Sequence, residues 1–172
     1  GTLDSSSQEN LVVRTDSLDC TTYVETVLAM YIASKSQFPR FADFCNALQL
    51  IRYRDGIIQG YTSRLHYFSD WVSDNSRKGL VYEITRETEG FMTRILSLNY
   101  MSSHKELYRQ MKDSPENVSG IQEMEKNWEN YEMSYIPKDI LNRGRDLLNV
   151  DNGDIIALTT DIEGLDVLHL GF

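Results

Sequence analysis

The sequence predicts an α+β fold, and three observations carry that expectation. From Cys20 onward, apolar residues recur at helical spacing. Residues 61–71 and 80–85 are rich in aromatic and β-branched side chains. Residues 154–160 and 167–172 form two further apolar runs split by a polar loop. The chain has 172 residues, enough for one domain with a real core. Its 41% hydrophobic and 25% charged content is that of an ordinary soluble globular protein.

Taken in order, residues 1–10 read as a loose polar lead-in, and Leu11-Val12-Val13 as a short strand or extended arm. The first helix starts at Cys20. Its apolar stripe, Tyr23, Val24, Val27, Leu28, Tyr31 and Ile32, predicts one buried face. Ser17 or Asp19 can cap it, and residues 36–39 end it. A second helix fits residues 41–51, with Phe44, Leu48 and Ile51 on one side. Asp55-Gly56 signals a turn. Residues 61–71 and 80–85 read as two strands joined by a polar turn at 74–79. A charged helical middle spans about 103–130, with Pro115 placed to open a helix. Pro137 opens another short helix over 138–148. Asn152-Gly153 is a turn, and strands follow over 154–160 and 167–172. The chain stops at Leu170-Gly171-Phe172 inside the last of these, which suggests a sheet completed by residues beyond 172. The domain expectation is therefore a single unit over 1–172, with a helical insertion at about 100–148.

Composition excludes several classes. A net charge of −9, with no Lys/Arg cluster, argues against a nucleic-acid partner. The longest apolar run falls far short of the roughly 20 residues needed to span a bilayer. Histidines occur only at 66, 104 and 169, with no CxxC or HExxH, so no metal and no cofactor are expected. The two cysteines, Cys20 and Cys45, could form one disulfide and do not decide the redox compartment. Gly1 rather than Met opens the chain, a start compatible with removal of an export signal.

Cys20 is the residue with chemistry in it. A thiol in the first turn of a helix sits in the positive field of unpaired N–H groups. That field favours thiolate, the nucleophilic form. The same amides can hold an oxyanion after attack on a carbonyl. Against this stands the plain reading of a small residue at a helix start. Asp19 could cap the helix or bind a cationic substrate group. Cys45, mid-helix beside Phe44, reads as buried and inert. A thiolate needs a base to carry its proton to the leaving amine. His169 alternates with apolar residues on a predicted strand, as does His66. His104 reads as a surface capping residue. Composition does not choose between His169 and His66.

Ser17-Leu18-Asp19-Cys20-Thr21-Thr22-Tyr23-Val24-Glu25 resembles the nucleophile segment of NlpC/P60-type cysteine peptidases, in which an Asp-Cys pair opens a helix. Asn152-Gly153-Asp154-Ile155-Ile156-Ala157, followed by Leu165-Asp166-Val167-Leu168-His169-Leu170-Gly171, resembles the strand pair of the same family, where a His-x-Gly carries the base. The stretch Thr62-Ser63-Arg64-Leu65-His66-Tyr67-Phe68-Ser69-Asp70-Trp71, with Tyr135-Ile136-Pro137-Lys138, extends the likeness to the DUF1460 group, an N-acetylmuramoyl-L-alanine amidase-like branch. The resemblance covers about residues 11–172. It implies a papain-like α+β core, a nucleophile helix on an antiparallel sheet with a helical insertion. It also implies cleavage of the amide between (anhydro-)N-acetylmuramic acid and L-alanine in cell-wall fragments.

By that resemblance Cys20 is the nucleophile and His169 the base. The family's third residue, which orients the His ring, falls beyond Phe172 and is unassigned. Arg64 could pair with a substrate carboxylate, and Tyr67 or Trp71 could stack on a sugar. The plain alternative is that they pack in a strand. Asp19, Arg64, His66 and Tyr67 are thus the candidate substrate contacts, while Glu25 reads as a helix-surface or supporting group. The expected partner is a muropeptide, and the expected location is periplasmic or exported in a bacterium. A stem-peptide endopeptidase, an acyltransferase and a non-catalytic wall-fragment binder are the alternatives.

Overall fold

The computed structural model of the protein describes residues 3, 8–142 and 148–172. Seven α-helices and four strands are described: α1 (Cys20–Ser34), α2 (Phe41–Arg52), α3 (Phe68–Arg77), β1 (Met92–Leu96), α4 (Tyr100–Ser103), α5 (Arg109–Lys112), α6 (Pro115–Lys126), β2 (Tyr131–Tyr135), α7 (Lys138–Leu141), β3 (Ile156–Thr159) and β4 (Val167–Gly171). The fold is α+β with two small antiparallel sheets, β1–β2 and β3–β4. Of the helix expected over 138–148, α7 is the described part, and 143–147 lie outside the described residues.

α1 begins where its sequence says it should. Asp19 is the cap, its carboxylate accepting from Thr22 N at 2.8 Å, and Thr22 Oγ1 accepts from Asp19 N at 2.9 Å. This reciprocal pair ties the first turn at both ends. The buried face differs from the expected stripe. Thr22, Val24, Glu25, Thr26, Ala29 and Ala33 are buried, whereas Tyr23, Val27 and Tyr31 are exposed. Small residues at 29 and 33 let α2 come close, and Ala29 and Ala33 join Phe44, Ala47, Leu48 and Ile51 in one cluster. Full burial of a side chain such as Ile51 is worth about 1.5–3 kcal/mol. Inside this interface Glu25 accepts from Arg52 Nε at 2.7 Å, with both side chains buried. Arg52 also donates to Val12 O at 2.7 Å. Residues 11–13 are thereby an extended arm and not a strand, with Leu11 and Val13 packed on the cluster.

The expected strand over 61–71 is not one. Residues Tyr61–Ser63 form a 3₁₀ turn, Arg64 makes an isolated bridge to Tyr53, and α3 runs from Phe68. The aromatic content that read as strand alternation also fits helical spacing. Phe68 stacks on Trp71 with centroids 5.6 Å apart, and Asn75, a turn beyond, donates to the carbonyls of Trp71 and Ile51 at 2.9 Å each. The supposed turn at 74–79 is the end of this helix. It closes at Gly79, whose φ of +72° suits a left-handed cap that glycine adopts freely. Residues 81–84 pair in no described strand.

Sequence patterning gave no sign of β1 and β2, which pair from Met92↔Tyr135 to Leu96↔Tyr131. Their ladder closes off residues 97–130, so the helical middle is stapled at its base. α6 opens as expected, with Ser114 capping and Pro115 in the first turn. A second core of Tyr61, Tyr67, Leu98, Met101, Met111, Ile121 and Met124 lies under these helices.

Two buried carboxylates hold elements distant in sequence together. Glu125 of α6 accepts from Tyr67 Oη at 2.7 Å and from Ser102 N at 3.2 Å, and Tyr67 Oη accepts from Met101 N at 2.8 Å. Asp166, just before β4, accepts from Ser69 N at 2.6 Å in the first turn of α3 and from Val167 N at 2.9 Å. Helix N-termini carry unpaired N–H groups, and these acidic oxygens satisfy them.

Candidate functional site

Cys20 is the first residue of α1 and is partly exposed. Its Sγ lies 4.0 Å from Thr21 Oγ1. Asp19 spends its carboxylate on Thr22, so the cap satisfies that amide. Among the described residues the amides of Cys20 and Thr21 meet no acceptor. Two N–H groups beside a thiol are the donors an oxyanion would need. Both cysteines are free thiols. Cys45 is only half-buried, against the α1–α2 cluster, and not fully enclosed.

His169 lies on β4, opposite Leu158 of β3, and its side chain is exposed. β4 packs against α1. The Tyr23 and Phe172 rings meet edge-on at 5.9 Å, one turn after Cys20 and three residues after His169. The fold thus carries Cys20 and His169, far apart in sequence, on two elements that touch. Asp166 pins the start of β4 to α3 and so holds the His169 strand in place. Burial pushes the Asp166 carboxyl up, against the pull of its Ser69 and Val167 amide donors. Pattern reading missed this role, because its only local sign is one acid before an apolar strand.

The four residues expected at the substrate are bound up in the fold in different ways. Asp19 is the helix cap. Arg64 is buried and paired with Glu9 at 3.1 Å, with its guanidinium over the Tyr61 ring. Glu9 also accepts from Tyr53 Oη at 2.8 Å, so Arg64 anchors the N-terminal arm. His66 is partly buried, its Nε2 3.0 Å from Tyr61 O and its ring against Tyr61 at 4.4 Å. Tyr67 is 2% exposed, with its hydroxyl held by Glu125 and Met101. Of the other residues considered, Trp71 is equally buried, and Glu25 is an interior ion-pair partner and not a surface group. His104 is exposed and stacks on Tyr100, with Nδ1 2.9 Å from Tyr100 O.

Among the described residues no cluster of three or more His, Cys, Asp or Glu side chains could hold a metal ion. No described helix is long and apolar enough to cross a membrane.

This architecture has close counterparts among solved structures. The chain is 48% identical to a candidate xylanase from Bacteroides fragilis, with a TM-score of 0.90, covering 99% of this chain and 73% of that one. It is 44% identical to an N-acetylmuramoyl-L-alanine amidase from Bacteroides uniformis, with a TM-score of 0.91, covering 99% of this chain and 72% of that one. A Legionella pneumophila protein of the DUF1460 family is 25% identical, with a TM-score of 0.59, covering 90% of this chain and 60% of that one. No curated protein matches the chain. The family described as AmiA-like, N-acetylmuramoyl-L-alanine amidase-like, matches residues 1–172. With its whole length matched and its fold shared, the chain belongs to the N-acetylmuramoyl-L-alanine amidase-like family.

Proposed function

We propose that the protein is a cysteine amidase of the NlpC/P60 type with a papain-like core, cleaving the amide between (anhydro-)N-acetylmuramic acid and L-alanine in peptidoglycan fragments. The observation that carries this reading is the start of α1. Cys20 stands there beside two amides that meet no acceptor among the described residues, on a helix packed against the strand of His169.

Cys20 Sγ attacks the amide carbonyl carbon, and the amides of Cys20 and Thr21 hold the oxyanion. His169, having taken the Cys20 thiol proton, gives it to the alanine nitrogen, the C–N bond breaks, and the peptide leaves with a free amine. A thioester on Sγ remains. Water attacks it, giving its proton to His169, and the C–S bond breaks to release the muramic acid carboxylate. The residue that orients His169 is unassigned. Such a substrate places the protein outside the bacterial cytoplasm, in the periplasm or exported.

The Bacteroides fragilis relative's name offers a competing substrate. A glycosidase ordinarily needs two available carboxyl groups flanking the bond, about 5–9.5 Å apart. Four buried acids here are tied down: Glu25 by Arg52, Asp70 by Arg54, Asp74 by Lys78, and Asp166 by the amides of Ser69 and Val167. This favours the amidase.

The test is product analysis by mass spectrometry on muropeptides and xylo-oligosaccharides. Cys20→Ala is expected to abolish release of peptide with an L-alanine amine, and Cys45→Ala to retain it. Products cut within the stem peptide would point to an endopeptidase. Xylose release that survives Cys20→Ala would sink the cysteine mechanism.

A further inference from the structure

The cap of α1 is built in the reverse of the usual order. The common capping box puts a hydroxyl at the cap and an acid or amide three residues on. Here the acid, Asp19, is the cap, and the hydroxyl three residues on belongs to Thr22. The order matters because Cys20 lies directly after Asp19. An ionised carboxylate close to a thiol disfavours the thiolate, as any like charge does.

The hydrogen bonds show where that charge goes. Asp19 Oδ1 accepts from Thr22 N and from Thr22 Oγ1, at 2.8 Å each. Thr22 Oγ1 in turn accepts from Asp19 N at 2.9 Å. Asp19 is exposed and Thr22 is only 6% exposed, so a buried hydroxyl holds a carboxylate that water could otherwise draw elsewhere. An ionised glutamate in place of Thr22 could accept from Asp19 N but could donate nothing to the carboxylate. It would also bring a second negative charge into the turn that carries the thiol. The charged groups on the elements packed against α1 are otherwise committed. Arg52 of α2 pairs with Glu25, Asp43 of α2 pairs with Arg40, and β4 contributes His169, the base itself.

We propose that Thr22 is a positioning residue for the Cys20 thiolate, acting by holding the Asp19 carboxylate on the helix cap and away from Sγ. This rests on Cys20 being the nucleophile.

The test is the rate of Cys20 alkylation by iodoacetamide against pH, in the 172-residue chain carrying Cys45→Ala. Thr22→Val removes the hydroxyl at nearly equal size. Its alkylation midpoint is expected about half a pH unit above the parent's, which slows alkylation about threefold below the midpoint. Thr22→Ser keeps the hydroxyl and is expected to match the parent. In an Asp19→Asn background Thr22→Val is expected to leave the midpoint unmoved, because the charge it would release is gone. Circular dichroism checks that each variant folds. A merely structural Thr22 would lower stability and leave the midpoint in place. An unmoved midpoint in a folded Thr22→Val, or an equal shift in the Asp19→Asn background, would overturn the proposal. Should Thr22→Val not fold, Thr22→Ala replaces it, and Asp19→Asn by itself also decides. Asparagine caps as well as aspartate, so with the carboxylate already held off the midpoint should fall by less than about 0.3 unit; a larger fall would overturn the proposal. A parent midpoint at the ordinary thiol value of about 8.5 would overturn the nucleophile reading, and this proposal with it. A lower parent midpoint that Thr22→Val leaves unmoved would overturn this proposal alone.

Discussion

Replacing Tyr67 with phenylalanine removes one oxygen from the centre of the molecule. That oxygen donates to Glu125 at 2.7 Å and accepts from Met101 N at 2.8 Å. Burial raises the Tyr67 phenol well above its usual range, so it stays protonated and remains the donor to Glu125. The substitution forfeits a hydrogen bond to a charged group, worth about 1.5–3 kcal/mol. It also leaves Met101 N–H buried without an acceptor, at about 1–3 kcal/mol. Ser102 N still bonds Glu125, and neighbouring terms do not add fully, so the expected loss is about 2–4 kcal/mol. For a chain of this size that is a fall in Tm of about 5–15 °C. Urea unfolding, read by tryptophan fluorescence and circular dichroism, measures it. Tyr135→Phe is the control, because its hydroxyl makes an exposed contact with Met92 Sδ at 3.9 Å; it is expected within about 0.5 kcal/mol of the parent. A Tyr67→Phe loss no larger than the control's would refute the view that Tyr67, Glu125 and the start of α4 form one stabilising unit.

Two further variants probe the joints around the His169 strand. Gly164 has a φ of +76°, its carbonyl accepts from Asn99 N and Tyr100 N at 3.1 Å each, and an added Cβ would lie 2.9 Å from Tyr100 N and closer still to Asn99 Oδ1. Gly164→Ala therefore meets both a backbone penalty and a clash, and a loss of about 2–4 kcal/mol in urea unfolding is expected; a neutral result would contradict the close approach. Asp166 is raised by burial, so the unfolded chain ionises it first as pH climbs from its ordinary value of 3.8. Its contribution to stability is full below that value and is lost as pH rises through the folded one. The stability difference between the parent and Asp166→Asn should accordingly shrink with rising pH across that window, whereas a difference that grew would reverse the assignment.

Local chemistry was readable without the fold. Asp19 as cap, the start of α1 at Cys20, the second helix near 41–51 and Pro115 in a first turn each depend on residues a few positions apart. The two closing strands were legible for the same reason, though β3 is confined to Ile156–Thr159. The family resemblance needed only motifs in order. What could not be read locally is what depends on partners far along the chain. Residues 61–71 held both an alternating and a helical pattern, and Ser69's bond to Asp166, 97 residues on, helps settle that stretch as the start of α3. β1 exists because β2 lies beside it, beyond a whole helical excursion. The buried face of α1 was misjudged because Ala29 and Ala33 are weak signals in a sequence but strong contacts against α2, where Glu25 finds Arg52 27 residues away. Sequence by itself determined where helices start and which residues carry reactive groups, because capping and thiol chemistry act over one turn. Only the tertiary structure decided which polar groups are spent inside the fold, as Tyr67 and Arg64 are, because burial and ion pairing are properties of neighbours the chain brings from elsewhere.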